Sequence, residues 1–335
     1  MLNALVQLGR SGFDIHLPDA SLRALGESCT LLHDGPVADL GADIPADMLA
    51  RTELLITGWG SQQLTPELRE AMPRLKLVAH LAGTVKSVVS PEIMLSGVRV
   101  THAAAANATP VAQYVLAVIL LHNKRVPDWV RLYSQQRAQF RAHAEPMRAQ
   151  VGNRGRTIGI VGASRVGRCL IEFLRPHGFC ILLHDPYLSP QEASGLGVEM
   201  VPLDRLLAES HVVSLHQPLV PATCNSFGAR EFAAMRDGAL FINTARGGIV
   251  DHDALAGAMR NGRLNAVLDV TDPEPLPDAS PLWDMPNVLL TPHVAGSMGT
   301  ETAAMTEMVI EEIRRFTRGE ALQHEVIADA WERVA

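Results

Sequence analysis

The chain alternates short apolar runs with amphipathic stretches along nearly its whole length, the pattern of βαβ units around parallel sheets rather than of a sandwich or a helical bundle. The clearest series lies in the middle. Thr157–Val161, Phe179–His184, His211–Leu215, Ala239–Asn243, Asn265–Asp269 and Asn287–Leu290 read as buried strands, each followed by turn residues and most then by a helical pattern. These six units predict a doubly wound domain. Earlier, Cys29–His33, Leu54–Gly58, Leu75–Leu81 and Val98–Ala103 predict a second, smaller set of parallel strands, interrupted by turns containing proline and glycine. Thr109-Pro110 has the form of an N-cap followed by proline at the first helical position, so a helix connecting the domains is expected to start there and continue through Val111–Leu121; a purely buried core helix fits the same pattern. Over Thr300–Arg318 apolar residues recur at helical spacing (Ala304, Met305, Met308, Val309, Ile313, Phe316), which predicts a helix running back onto the first domain. The expected architecture is α/β, with two Rossmann-like domains: a smaller, discontinuous one over 1–105 and 299–335, and a doubly wound one over 106–298.

At 335 residues, 47% of them hydrophobic, the chain has the length and the apolar material for two cores. A net charge of -7 gives no electrostatic footprint for nucleic acid or an anionic membrane surface, so the expected partner is a small molecule. The four cysteines, Cys29, Cys169, Cys180 and Cys224, form no CxxC pair, which argues against a disulfide framework and a metal site alike. The amino terminus lacks the features of a signal peptide, and no apolar run approaches the roughly 20 residues that span a bilayer, so a cytoplasmic protein without a membrane partner is expected. None of the three lysines, Lys76, Lys86 and Lys124, sits in a phosphate-binding GxxxxGK[ST] loop, and none lies four positions after Tyr114, Tyr133 or Tyr187. P-loop phosphoryl transfer and the YxxxK class of nicotinamide enzymes are thereby excluded.

Thr157-Ile-Gly-Ile-Val-Gly-Ala-Ser-Arg-Val-Gly167 reads as a strand, a tight turn and the start of a helix. Such a turn aims backbone N–H groups and the positive end of the helix at a pyrophosphate. Gly162 is expected to make the turn and Gly167 to let the helix lie close to the strand, while Ser164 stands where the middle glycine of GxGxxG is usual. Asp185 falls at the carboxyl end of the next predicted strand, where a carboxylate binds ribose hydroxyls and repels a 2′-phosphate, so NAD is favoured over NADP. The plain structural alternative is a tight βα turn with Asp185 as a strand cap.

Three ionisable residues stand just past the ends of three consecutive predicted strands: Arg246, Glu274 and His293. In an open parallel sheet, strand carboxyl ends line one crevice. Reduction of a 2-keto acid needs a cation to hold the carboxylate and polarise the carbonyl, and an acid that gives a proton as hydride arrives. Arg246 and His293 suit those roles, and Glu274 is expected to favour the protonated imidazole. Singly, each has a bland use: a surface cation, a turn carboxylate, a satisfied buried histidine.

Together, Asn243-Thr-Ala-Arg-Gly-Gly-Ile-Val-Asp251, Leu268-Asp-Val-Thr-Asp-Pro-Glu-Pro275, Thr291-Pro-His293 and the Gly162 turn resemble the D-isomer-specific 2-hydroxyacid dehydrogenases, over roughly Leu54 to Gly296. The resemblance implies an Arg/Glu/His catalytic set at Arg246, Glu274 and His293 with NAD as cofactor, the domain over 106–298 binding NAD and the smaller one binding substrate. It also implies that Arg165 and Val166 present backbone to the pyrophosphate, that Pro218 and Thr223 flank the adenosine side, and that Thr244, Ala245 and Asp269 hold the nicotinamide ribose and carboxamide. Ala82-Gly83-Thr84 is similar to the loop whose N–H groups hold the substrate carboxylate, with Asn107 near the same cleft; an ordinary strand-ending turn is the alternative for that loop. A homodimer is implied by the resemblance only.

Four positions depart from the family pattern: Ser164, Gln113 where glutamate is usual, Thr271 where an aromatic is usual, and Val85-Lys86-Ser87 where Gly-x-Asp is common. Lys86 has two readings, reaching the substrate to select an acidic side group or pointing to water, and the stretch around Trp59 bears on specificity in the same way. Formate dehydrogenases of this superfamily pair the histidine with glutamine, and Glu274 argues against that reading. An NAD-sensing corepressor with the same fold is the alternative from a different functional class.

Overall fold

The computed structural model describes residues 1–148 and 151–333; Val334 and Ala335, the end of the expected 299–335 segment, lie outside the described residues. The chain forms two compact units, Met1–Asn107 with Ser297–Ala335, and Ala108–Gly296.

The first unit is built on a five-stranded parallel sheet of β1 (Leu2–Gln7), β2 (Cys29–Leu31), β3 (Leu54–Thr57), β4 (Leu77–His80) and β5 (Arg99–His102), in the order β2-β1-β3-β4-β5. β1 is a strand that apolar periodicity did not predict. It is short and broken by Asn3 and Gln7, yet it lies inside the sheet, and its Ala4, Leu5 and Val6 are buried. Gln7 is buried as well, and is satisfied because its Nε2 donates to the Ala38 carbonyl and its Oε1 accepts from Gln62 N–H.

The helix Thr302–Thr317 returns to this sheet and buries Met305, Val309, Ile310 and Ile313 against Ala4, Val6, Leu54 and Ile56. Its only buried carboxylate among the described residues is Glu312, 1% exposed, which accepts Gln323 N–H at 3.1 Å and His324 N–H at 2.9 Å. The segment so held bridges antiparallel to β5 at Thr101 and Glu325 and is locked by a bidentate pair, Arg99 Nε and Nη2 to the Glu325 carboxylate, both at 2.6 Å. The exposed edge of the sheet is thereby covered.

The second unit is a seven-stranded parallel sheet of β6 (Thr157–Val161), β7 (Cys180–His184), β8 (Glu199–Met200), β9 (Val212–Leu215), β10 (Leu240–Asn243), β11 (Asn265–Leu268) and β12 (Val288–Leu290), in the order β12-β11-β10-β9-β6-β7-β8. The chain winds out from β6 in one direction to β8, then crosses back to β9 and winds out the other way, so the order reverses between β6 and β9. The seventh strand, β8, has two residues and both are exposed, too little for a periodic signal.

One helix begins earlier than its capping pattern suggests. It spans Ala104–Asn123 with Pro110 in its interior, because the strong helix formers Ala103–Ala106 start it and His102 Nδ1 accepts the Ala104 N–H at 3.0 Å. At 20 residues it is long and apolar enough to cross a membrane by length and composition, which corrects the expectation that no segment approaches that size. The polar Asn107, Gln113 and His122 break its apolar run in sequence without ending the helix. Within the second unit its Ala112, Val115 and Ile119 pack with Ile158, Ile160 and Leu170 in the core.

Replacing Glu312 by alanine leaves two N–H groups without an acceptor and is expected to lower the unfolding free energy by about 1–3 kcal/mol, whereas Glu311→Ala on the outer face of the same helix should change it by less than about 0.5 kcal/mol. Urea denaturation of the two variants compares them, and equal effects would remove the assigned role of the buried carboxylate.

Candidate active site

The switch point between β6 and β9 is occupied by the turn at Gly162. With φ +99°, this residue packs so closely on the chain leaving β9 that a Cβ there would lie 2.6 Å from Gln217 N and 2.9 Å from the His216 carbonyl carbon. Gly167 lies against the Gly162 carbonyl oxygen in the same way, which seats the helix Arg165–Leu174 on the turn. Both positions need glycine for want of space. Ser164 does not, because at φ −64° and ψ 179° its backbone is open to any residue, and its Oγ caps the helix by accepting Gly167 N–H at 3.3 Å. The departure from the glycine pattern thus costs the turn nothing and adds a cap.

Asp185 follows β7 and is tied to this turn: its Oδ2 accepts Ala163 N–H at 2.6 Å and its Oδ1 accepts Tyr187 N–H at 2.8 Å. Arg165 opens the helix with Val166 next to it, and burial lowers the pKa of its guanidinium. Beneath the turn, His216 is buried and neutral, its pKa pushed down to about 3 by burial, with Nε2 2.9 Å from Ser214 Oγ. Beyond it, Thr223 Oγ1 donates to the Pro218 carbonyl at 2.6 Å and accepts Val220 N–H at 2.9 Å, closing the loop after β9.

The carboxyl ends of β10, β11 and β12 are neighbours, and they bring together the loops that carry Arg246, Glu274 and His293. Buried Asn243 shapes the first loop, its Oδ1 accepting Ala245 N–H at 3.0 Å and its Nδ2 donating to the Arg246 carbonyl at 2.9 Å. Arg246 is half-buried, and its Nη1 donates to the Ala245 carbonyl at 2.6 Å. Burial lowers its pKa, opposed by the charge of Glu274, yet among the described residues no carboxylate lies within 4 Å of it. Gly247 rests directly on the Thr271–Asp272 peptide, so this loop and the one leading to Glu274 are braced by a contact that admits no side chain.

His293 Nδ1 lies 2.8 Å from Glu274 Oε1. The histidine sits in the left-handed region at φ +54°, uncommon for a residue with a Cβ. Asp269, 2% exposed, holds it there. The Asp269 carbonyl accepts His293 N–H at 2.9 Å, while its carboxylate accepts Thr291 Oγ1–H at 2.6 Å, Val294 N–H at 2.8 Å and Ala295 N–H at 2.9 Å. Tyr114 adds a contact of 2.9 Å to Thr291 Oγ1. Asn243 and Gly247 stand in the motif around Arg246 and Tyr114 was considered only for a YxxxK pair, so none of the three was given a supporting role from the sequence; the signals available were an Asn ending an apolar strand and a Gly-Gly pair after an arginine, with none for the tyrosine.

In the first unit, β4 runs into Ala82-Gly83-Thr84. The Ala82 carbonyl accepts Ala103 N–H at 3.0 Å, and a Cβ on Gly83 would lie 3.6 Å from Asn107 Nδ2, so the loop and Asn107 are adjacent. Thr84 Oγ1 accepts Lys86 N–H at 3.4 Å. Trp59 is half-exposed, its ring 5.2 Å from that of His16.

Thr244 Oγ1, at the rim of β10, is buried without a hydrogen-bond partner, an orphan that a bound polar ligand satisfies. With a helix amino terminus on a glycine turn at the switch point and a carboxylate at the end of the adjacent strand, the second unit fits a dinucleotide, and the class it defines is that of nicotinamide-dependent oxidoreductases. Residues 116–295 match the family described as D-isomer specific 2-hydroxyacid dehydrogenase, NAD binding domain, and the chain belongs to that family. It is therefore an NAD-dependent oxidoreductase of 2-hydroxy and 2-keto acids.

Over 255 residues, 76% of each chain, it is 34% identical to a glyoxylate reductase of Korarchaeum cryptofilum. Over 311 residues it is 32% identical to a D-3-phosphoglycerate dehydrogenase of Mycobacterium tuberculosis, which covers 91% of this chain but only 56% of that protein. The chain thus spans about half the length of the phosphoglycerate dehydrogenases it matches. Among solved structures, a Thermus thermophilus protein matches with 28% identity and a TM-score of 0.74, covering 97% of this chain and 100% of that one. D-mandelate dehydrogenase of Rhodotorula graminis shares the fold, with a TM-score of 0.80 over 97% of both chains at 22% identity.

Gly247→Ala forces the Arg246 loop off the Thr271 peptide and is expected to destabilise the protein by about 1–3 kcal/mol. Gly257→Ala, in the helix His252–Met259 where a Cβ meets nothing within 4 Å, should instead stabilise it by about 0.4–1 kcal/mol. Thermal or denaturant unfolding reads both, and a neutral Gly247→Ala would show that the brace is not rigid.

Proposed function

We propose that the protein reduces a small 2-keto acid to the D-2-hydroxy acid, and catalyses the reverse oxidation, with Arg246 binding substrate and His293 and Glu274 as the acid–base pair. The observation that carries this reading is the 2.8 Å contact between His293 and Glu274 at the same sheet rim as a half-buried arginine that, among the described residues, has no carboxylate within 4 Å. The nicotinamide, when bound, supplies the hydride to the keto carbon. The Arg246 guanidinium holds the anionic substrate and polarises its carbonyl. With Nδ1–H given to Glu274 Oε1, the His293 imidazolium turns its Nε2–H outward and delivers that proton to the carbonyl oxygen as negative charge develops there. Glu274 fixes the ring and its tautomer.

In the same reading Gly162, Arg165, Val166 and Gly167 cradle the pyrophosphate, Asp185 takes the adenosine ribose, and Pro218 and Thr223 flank the adenosine. Thr244 and Ala245 meet the nicotinamide half, supported by the orphan Thr244 hydroxyl. Both Asp269 oxygens are already engaged by its own loop, so its part is to shape that half of the site. Ala82, Gly83, Thr84 and Asn107 hold the substrate carboxylate. The free thiols of Cys29, Cys169, Cys180 and Cys224 suit the reducing cytoplasm, and a homodimer is carried over from the family resemblance alone. A sensing role finds no favour, since the curated relatives described above are named as a reductase and a dehydrogenase.

Purified protein with NADH and a panel of 2-keto acids is expected to lose absorbance at the nicotinamide band. His293→Ala and Arg246→Ala should each cut kcat/KM by at least about 100-fold while leaving NADH binding largely intact. Full turnover in either variant would overturn the role assigned to that residue.

A further inference from the structure

The last residues of three neighbouring strands in the first unit are polar and buried. Thr57 ends β3, His80 ends β4 and His102 ends β5; Thr57 is in register with His80 and His80 with His102, and each is at most 3% exposed. Side chains opposite one another on adjacent strands leave the sheet on one face. The three therefore form a row at the rim from which the loop Ala82-Gly83-Thr84 departs.

His80 is fixed on two sides. Its Nδ1 lies 2.9 Å from Thr57 Oγ1. The ring also meets the main chain of Thr84, in a contact that favours the protonated form and therefore has the imidazole as donor and the Thr84 carbonyl as acceptor. With Nδ1 facing Thr57, the donor is Nε2–H, and Nδ1 accepts the proton of the Thr57 hydroxyl. Burial outweighs the Thr84 contact and lowers the His80 pKa to about 4, with His16 adding to the fall, so the ring is neutral and keeps this tautomer at neutral pH. Next in the row, His102 Nδ1 accepts Ala104 N–H at 3.0 Å where the helix carrying Asn107 begins.

The loop is thereby held by its carbonyls. That of Thr84 is taken by His80, and that of Ala82 by Ala103 N–H at 3.0 Å. Among the described residues neither the Gly83 nor the Thr84 N–H has an acceptor. Asn107, its Oδ1 occupied by Ser297 N–H at 2.8 Å, sets its amide nitrogen beside Gly83. Successive N–H groups left open in a turn whose carbonyls are engaged make a concavity for an anion.

We propose that His80 is a positioning residue for substrate binding: fixed by Thr57, it holds the Thr84 carbonyl and so keeps the N–H groups of Gly83 and Thr84 turned toward the substrate carboxylate. This rests on the reading that the loop holds that carboxylate, and adds what sets the loop. The carboxylate is bound in the ground state and in the transition state alike, so loss of the support weakens substrate binding without slowing the hydride or proton steps.

Steady-state kinetics with NADH and a 2-keto acid test it. His80→Leu keeps the side chain apolar and space-filling without donor or acceptor, and is expected to raise KM for the keto acid about tenfold, with kcat and KM for NADH changed by less than about twofold. His80→Gln offers both a donor and an acceptor and should bring KM back to within about threefold of the unaltered protein. A ring that only filled space would be replaced as well by leucine. Thr57→Val removes the hydroxyl that fixes the ring and should raise KM by about threefold. An unaltered KM in a folded His80→Leu, an equal rise in the leucine and glutamine variants, or a fall in kcat in place of a rise in KM overturns the proposal; where the leucine variant does not fold, an unaltered KM in Thr57→Val does so. No turnover of any 2-keto acid by the unaltered protein removes the underlying reading and this inference with it, whereas turnover that His293→Ala abolishes and His80→Leu leaves untouched removes the inference alone.

Discussion

Everything at the proposed catalytic rim depends on one buried carboxylate. Asp269 is removed from water almost completely, and such a charge is tolerated only where donors replace the lost hydration. Here a hydroxyl and two backbone N–H groups do so, and all three belong to the stretch Thr291–Ala295 that carries His293. Its main chain completes the link, with Asp269 N–H given to the Asn243 carbonyl and the Asp269 carbonyl receiving His293 N–H. One residue therefore ties the carboxyl ends of β10, β11 and β12 together and keeps His293 in a backbone conformation that it would rarely adopt alone.

The neighbouring contacts extend that arrangement. Asn243 turns the chain so that Arg246 leaves the β10 rim half-buried, and Gly247 lets that turn rest on the peptide before Asp272. The loop bearing the cation is thus braced against the loop bearing Glu274, and the loop bearing His293 is held by Asp269. Preorganisation of this kind places a cation and a proton donor where charge develops, without reorganising the protein at the moment of reaction.

Much of this was legible in the sequence because it is local. The apolar runs gave most of the parallel strands, the Gly162 turn stood at the end of one of them, and Arg246, Glu274 and His293 followed strand ends in order. What escaped depends on context that periodicity does not carry. β1 is short and polar at two positions and is buried only because other strands flank it, and the start of the helix at Ala104 is set by alanines that outweigh a capping pattern five residues later. The supports of the site, Asn243 and Gly247, stand in the motif around Arg246, but which loop each one shapes or braces depends on contacts that a motif does not show.

The most direct measurement of the central claim is the turnover of Asp269→Asn, which keeps the shape of the side chain but turns one of its two acceptor atoms into a donor facing the Thr291–Ala295 stretch. If the carboxylate fixes His293, kcat for a 2-keto acid should fall about 100-fold from the displacement of the proton donor, with the fold retained by circular dichroism. A variant that turns over as fast as the unaltered protein would show that the histidine finds its place without Asp269.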